Sequence, residues 1–124
     1  MKNRMEHFVP ITASMRDILD TLPDHGLLFP SSNDTPFSAW SKNHRKFIKA
    51  CGFHFERYDL RRTFSTRAAE WRCGPAHAVE LLVNHKHPAS LGSKIARVYN
   101  RHTYLDELRT TLENYEVHLK ALIA

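Results

Sequence analysis

The last third of the chain carries apolar side chains at alternating spacings of three and four residues, which is the repeat of an α-helix. This spacing favours a helix over a strand, whose side chains alternate every second residue. Thr103, with Asp106 three residues later, is a good start for the helix. Its narrow apolar seam can pack on its own domain or on a neighbouring molecule, and the sequence leaves both open. The seam consists of Leu105, Leu108, Leu112, Tyr115, Leu119 and Leu122.

Helical spacing also dominates upstream, so the sequence predicts a mainly α fold in a single domain covering 1–124. Residues 6–11 are predicted to form a short strand, which Pro10 confines to the edge of a sheet. Without a partner strand, 6–11 should be poorly held. Ser14, with Asp17 three residues later, is expected to cap a short helix. Further helices are predicted from Thr35-Pro36 to Gly52, from Asp59 to Arg72, from Pro75 to His85, and over a short stretch ending at Asn100.

The composition limits the classes of protein to consider. A chain of 124 residues with 42% hydrophobic residues can build one compact core. Its longest apolar runs span only a few residues, and the charged N-terminus does not resemble a signal peptide, so we expect no membrane partner and a cytoplasmic location. The net charge of +5 makes polyanions reasonable partners. Many small basic proteins nevertheless bind no polyanion.

The two cysteines are expected to be reduced thiols, because two are too few for a disulfide framework. Cys51 with His54 and Cys73 with His77 have spacings near those of zinc ligands. Cys51, however, falls on the apolar face of its predicted helix. We therefore predict no metal site.

The stretch "YDLRRTFSTRAAEW" (58–71) places an arginine beside an apolar helix face. Arg61 lies at the border of that face, where it loses hydration and requires an anionic or carbonyl partner. If Asp59 is the N-cap, the free N–H groups of the first turn also lie nearby and favour a phosphate. A glutamate partner, or a position along the surface, is the alternative. The apolar face consists of Leu60, Phe64, Ala68 and Trp71.

Two further residues are ambiguous when considered alone. His85 ends a predicted helix that packs through Val79, Leu82 and Val83, and a histidine there usually caps the helix. Tyr99 follows Ile95 and Val98, and a tyrosine in such a context is usually part of the core.

The order of these residues along the chain resembles that of a known family. The stretches "YDLRRTFST", "ELLVNHK" and "VYNRHTYLDELR", preceded by "KNRMEHFVPIT", are similar to the tyrosine recombinases, or phage integrases, of satellite phages and genomic islands. The resemblance covers about residues 2–119. It implies a helical catalytic-domain fragment with a short N-terminal β-hairpin remnant, double-stranded DNA as partner, and a nucleoid-associated location. It also implies site-specific recombination without a metal or other cofactor.

The resemblance assigns a role to each matched residue. Tyr99 matches the nucleophile, which forms a 3′-phosphotyrosyl intermediate, and Arg61 matches the second of the family's two arginines. His85 matches the histidine that hydrogen-bonds the phosphate, and Lys2 the lysine that protonates the leaving 5′ oxygen. The remaining DNA-facing candidates are Arg62, Lys42, Arg45, Lys94 and Arg97.

Three departures from the family pattern limit these assignments. Tyr58 stands where the family has a histidine, and a phenol is a poor base at neutral pH. His85 and Tyr99 are fourteen residues apart, which is longer than usual and leaves His87 as an alternative. The family's first arginine, upstream of the hairpin, has no counterpart here. We therefore expect a truncated catalytic domain with little activity; a non-catalytic DNA-binding remnant is the alternative.

Overall fold

The computed structural model describes residues 7–84 and 101–124, with side chains in the second range from residue 104 onward. The described chain is mainly helical, which confirms the predicted fold class. It contains no β-strand in these ranges, where only an isolated bridge joins Pro30 and Pro36. None of the described helices is both long and apolar enough to cross a membrane. The helices are α1 (Ala13–Leu19), α2 (Trp40–Cys51), α3 (Arg57–Glu70), α4 (Ala76–Leu82) and α5 (Arg101–Ile123).

The described chain divides into two compact units. The described part of unit 1 comprises residues 7–12, 60–84 and 101–124, and unit 2 comprises 13–59. The described core residues of the two main clusters all belong to unit 1. Unit 2 has α1 and α2, neither of which has a fully buried residue.

The core of unit 1 forms where α3, α4 and α5 supply apolar side chains. Phe64 on α3 contacts both clusters of buried residues and so connects them. One cluster joins α4 to α5, and the other joins α3 and the turn after it to the middle of α4. Because α4 has only seven residues, its stability comes from this burial rather than from helix propensity. The clusters consist of Ala78, Leu82, Leu108 and Leu112, and of Ala68, Cys73 and Val79.

The turn between α3 and α4 is fixed by backbone bonds and by α5. The Cys73 N–H donates to the Ala68 carbonyl at 2.9 Å, and the Arg72 N–H to Ala69 at 3.1 Å. With Arg72 at a φ of 52°, this is the Schellman motif that ends many helices. The Asn114 side chain of α5 donates to the Cys73 carbonyl at 2.8 Å. This bond ties the turn that precedes α4 to α5.

The predicted strand at 6–11 is wrong for its described part, because residues 7–12 have no regular structure. Pro10 has no N–H to give to a sheet. The segment is nevertheless held, contrary to expectation, because side chains bond it to α4 and α5. His7 Nε2 donates to the Leu81 carbonyl at 2.9 Å, and Arg109 donates to the Ile11 carbonyl at 3.2 Å. The Thr12 hydroxyl lies 3.4 Å from a carboxylate oxygen of Glu116.

The seam predicted on α5 is buried only in its middle. Leu108 and Leu112 belong to the core, and Tyr115 packs against Phe64 with ring centroids 4.8 Å apart. Leu122, one residue before the end of α5, is 68% exposed. The central part of the seam therefore packs on its own unit, and its last part is open to solvent.

The helix predicted to start at Thr35-Pro36 begins later, at Trp40. The Ser31 N–H donates to the Thr35 carbonyl at 2.7 Å, and the two hydroxyls of these residues lie 2.6 Å apart. These bonds hold 31–35 as a turn. The predicted end at Gly52 is confirmed: its φ of 77° is left-handed, and its N–H bonds the Ile48 carbonyl.

Candidate functional site

Five residues of the predicted site lie on two described helices. Tyr58, Arg61 and Arg62 lie on α3, and Lys42 and Arg45 lie on α2. The other predicted residues lie outside the described ranges. They are Lys2, His85, His87, Lys94, Arg97 and Tyr99, the last three of which belong to the stretch 94–99.

The beginning of α3 differs from the prediction in a way that affects Arg61. The helix starts at Arg57, and the Asp59 carboxylate accepts the Glu56 backbone N–H at 2.9 Å. This is one half of a capping box, with Glu56 as the N-cap and Asp59 at the third helical position. Arg61 therefore lies in the second turn, beyond the free N–H groups of the first. A phosphate at Arg61 would have to be held by side chains rather than by the helix end.

The guanidinium of Arg61 is the most unusual group of the predicted site. The residue is half-buried, and its Nε is shielded from solvent without a hydrogen-bond acceptor among the described residues. A shielded donor on a charged group costs free energy when it has no acceptor. The alternative of a glutamate partner is not seen in this part of the chain. By contrast, Arg67 on the same helix donates to Glu70 at 2.8 Å.

Neighbouring positions on α3 separate into packing and surface residues. Phe64 and Ala68 pack as predicted, but Leu60, expected on the same apolar face, is 63% exposed. Tyr58 is also 63% exposed, which leaves its hydroxyl accessible. A phenol can donate one hydrogen bond to a phosphate oxygen. Arg62 is exposed as well.

Unit 2 contains a shielded histidine nitrogen that the sequence did not single out. Nε2 of His44 has no hydrogen-bond partner among the described residues, and its ring meets Phe55 edge-on at 5.2 Å. A Glu56 carboxylate oxygen is 4.0 Å away, too far for a hydrogen bond. His44 comes four residues after Trp40 and therefore lies on the aromatic side of α2. This spacing is the sequence feature that could have identified it.

The cysteines occupy different environments. Cys51 is exposed, and Cys73 is buried in the core, where burial raises the pKa of its thiol. A buried neutral thiol is a poor nucleophile and a poor metal ligand. In 7–84 and 104–124, no three His, Cys, Asp or Glu side chains lie together in a way that could hold a metal ion.

Comparisons of the chain with protein-family models, with curated proteins and with solved structures found no match.

Proposed function

We propose that this chain acts on double-stranded DNA as part of a tyrosine-recombinase catalytic domain, with Arg61 binding the phosphate that is attacked. The observation that supports this best is the shielded Nε of Arg61, which has no acceptor among the described residues. A phosphodiester offers charged acceptors, and a guanidinium can donate two parallel hydrogen bonds to it. The order of "YDLRR", "VNHK" and "VYNRH" in the sequence is the reason for choosing DNA over other phosphates.

In the proposed reaction the Tyr99 phenolate attacks phosphorus. A bond forms between the phenolic oxygen and phosphorus, and the bond from phosphorus to the 5′ oxygen breaks. Lys2 gives a proton to that oxygen, which leaves as a hydroxyl. Arg61 and His85 donate hydrogen bonds to the non-bridging oxygens, whose negative charge increases in the transition state. The phosphotyrosyl link keeps the bond energy, so rejoining needs no cofactor.

For the 124-residue polypeptide by itself we expect little cleavage. No arginine of the sequence matches the first one of the family, and the loss of one transition-state donor typically costs about 100- to 1000-fold in rate. Tyr58 adds a hydrogen-bond donor where the family has a histidine but supplies no base near neutral pH. DNA binding through Arg61 requires neither the family's first arginine nor a base at position 58. It is therefore the part of the proposal to test first.

The test is Arg61→Met, which keeps the length of the side chain and removes its charge. We expect affinity for a duplex of about 30 base pairs to fall roughly 5- to 20-fold at low salt, as for the loss of one charged phosphate contact. The free energy of unfolding should stay constant or increase, because the substitution removes a shielded donor that has no acceptor in the described chain. Fluorescence anisotropy and urea unfolding measure the two quantities.

Arg16→Met is the control, because Arg16 is an exposed arginine on α1. It should change neither quantity appreciably. If Arg61→Met destabilises the protein and leaves DNA affinity equal to that of the control, Arg61 is a structural residue and the proposal is wrong.

A covalent assay separates recombinase chemistry from simple DNA binding. Nicked duplexes of random sequence are incubated with the protein, and complexes that survive denaturing detergent are counted. An adduct that disappears in Tyr99→Phe supports the nucleophile assignment. Salt-sensitive binding that is equal in wild type and Tyr99→Phe, with no adduct from either, supports the non-catalytic alternative.

A further inference from the structure

Helix α2 has a row of cations on one face. Lys42, Arg45, Lys46 and Lys49 follow each other at spacings that place all four along the same side of a helix. No acidic residue occurs between Asp34 and Glu56, so α2 itself contains none. We call these four residues the basic stripe.

The basic stripe is exposed and has no partner among the described residues. All four side chains are exposed, and none has a hydrogen bond or salt bridge to any described residue. Cations on other helices do have partners: Arg67 pairs with Glu70 at 2.8 Å, and Lys120 lies 3.7 Å from Glu116. Like charges on adjacent turns repel each other, so the stripe weakens α2 unless an anion lies against it.

The opposite face of α2 is apolar and makes ring contacts within unit 2. At about 100° per residue, the centre of the stripe lies about half a turn from Trp40, Phe47 and Cys51. Phe47 meets Phe55 edge-on at 5.8 Å, and the Arg57 guanidinium lies 5.6 Å from the Trp40 ring centroid. The apolar side makes these contacts although Trp40 and Phe47 remain about half exposed, and the stripe lies on the other side of the helix.

We propose that the basic stripe lies along the phosphate backbone of duplex DNA, an inference that rests on the proposed function and extends it to a second contact surface. From Lys42 to Lys49 the helix rises about 10 Å. Phosphates of one strand are spaced about 3.4 Å apart along the duplex axis, so the stripe matches about three of them. Lysines are point charges without acceptors, so these contacts position the protein and carry no base information.

A membrane surface fits the stripe less well. A helix lying in a lipid interface inserts its apolar side, and its basic residues reach lipid phosphates from the flanks of that side. Here the cations are centred opposite the apolar side, which itself contacts Phe55 and Arg57. Duplex DNA requires only an exposed row of charges.

The experiment compares two triple variants with the same change in charge. The stripe variant is Lys42→Gln, Lys46→Gln and Lys49→Gln, and the control variant is Arg16→Gln, Arg72→Gln and Lys120→Gln. Duplex affinity is measured by anisotropy over a series of salt concentrations. We expect the slope of log K against log salt to fall by about 2 to 3 in the stripe variant, since each phosphate contact contributes about 0.9. The control should lose less than about one unit of slope.

Equal slopes in the two triple variants would overturn the proposal, because affinity would then follow net charge alone. If the slopes are equal but Arg61→Met still binds the duplex weakly, the proposed function stands. If the stripe variant loses slope while Arg61→Met binds the duplex like wild type, the stripe is supported and the role of Arg61 is rejected. Anionic vesicles of phosphatidylserine and phosphatidylcholine form a second arm. Vesicle binding that depends on the stripe, without duplex binding, would overturn the choice of partner.

Discussion

At the scale of single residues, two shielded polar groups differ in whether they have a hydrogen-bond partner. Gly74 leaves room for Thr111, which is fully buried and donates its hydroxyl to the Glu107 carbonyl at 2.7 Å. Every polar atom of that contact is satisfied, so it contributes to stability. Arg61 keeps a shielded donor without an acceptor in the described chain. A shielded donor that lacks an acceptor lowers stability, and this is the reason for assigning Arg61 a role in binding a phosphate.

We predict that Gly74→Ala destabilises unit 1 by about 1–3 kcal/mol. A Cβ on Gly74 would overlap the Thr111 hydroxyl and lie 2.9 Å from the Thr111 Cβ. Its φ is not left-handed, so the cost is steric. Urea unfolding measures the loss. The same substitution in a Thr111→Ala background should cost less, and an equal cost in both backgrounds would contradict the proposed clash.

At the scale of elements, α5 shows how one repeat serves two environments. Its leucines have the same spacing from end to end, yet Leu108 and Leu112 meet α4 and the last turns meet solvent. Periodicity identifies the helix and the side that turns inward. How far the cover extends is decided by the neighbours: α4 meets Leu108 and Leu112, and Trp71 stacks on His118 one to two turns further on.

A pair of identical substitutions on α5 tests this difference. Leu112 is 6% exposed and Leu122 is 68% exposed. We expect Leu112→Ala to lower the free energy of unfolding by about 2–4 kcal/mol, through lost burial and a cavity. Leu122→Ala should stay within about 0.5 kcal/mol of wild type. Urea unfolding at a concentration where the protein is monomeric gives both values. A large loss from Leu122→Ala, growing with protein concentration, would instead indicate that the end of α5 docks on a second molecule.

At the scale of the whole molecule, two groups in the core of unit 1 are expected to make the protein less stable at alkaline pH. Burial raises the pKa of the Cys73 thiol, and burial followed by the nearby Cys73 raises the pKa of the Tyr115 phenol, with Arg67 acting in the opposite direction. Both groups stay neutral in the fold to higher pH than in the unfolded chain. Their contribution to stability is therefore fully present below their ordinary pKa values of 9.0 and 10.0 and is lost as the pH rises through the raised values.

We therefore predict that the free energy of unfolding decreases between about pH 8.5 and pH 10.5. Tyr115→Phe should decrease less over the same range, because it has no phenol to ionise. The test is urea unfolding of the two proteins at a series of pH values. Identical pH profiles would mean that Tyr115 ionises equally easily in the folded and unfolded states.

The sequence by itself determined the helical class and the end of α2 at Gly52. It also determined the core residues Val79, Leu82, Leu108 and Leu112. The reason is that the spacing of apolar residues and the conformation of a glycine are local properties. It also supplied the candidate arginine on α3. The tertiary structure alone decided that 7–12 is bonded through side chains and is not a strand, and that the Arg61 Nε has no acceptor among the described residues. These outcomes depend on which groups meet across the fold, and spacing along one element does not contain that information.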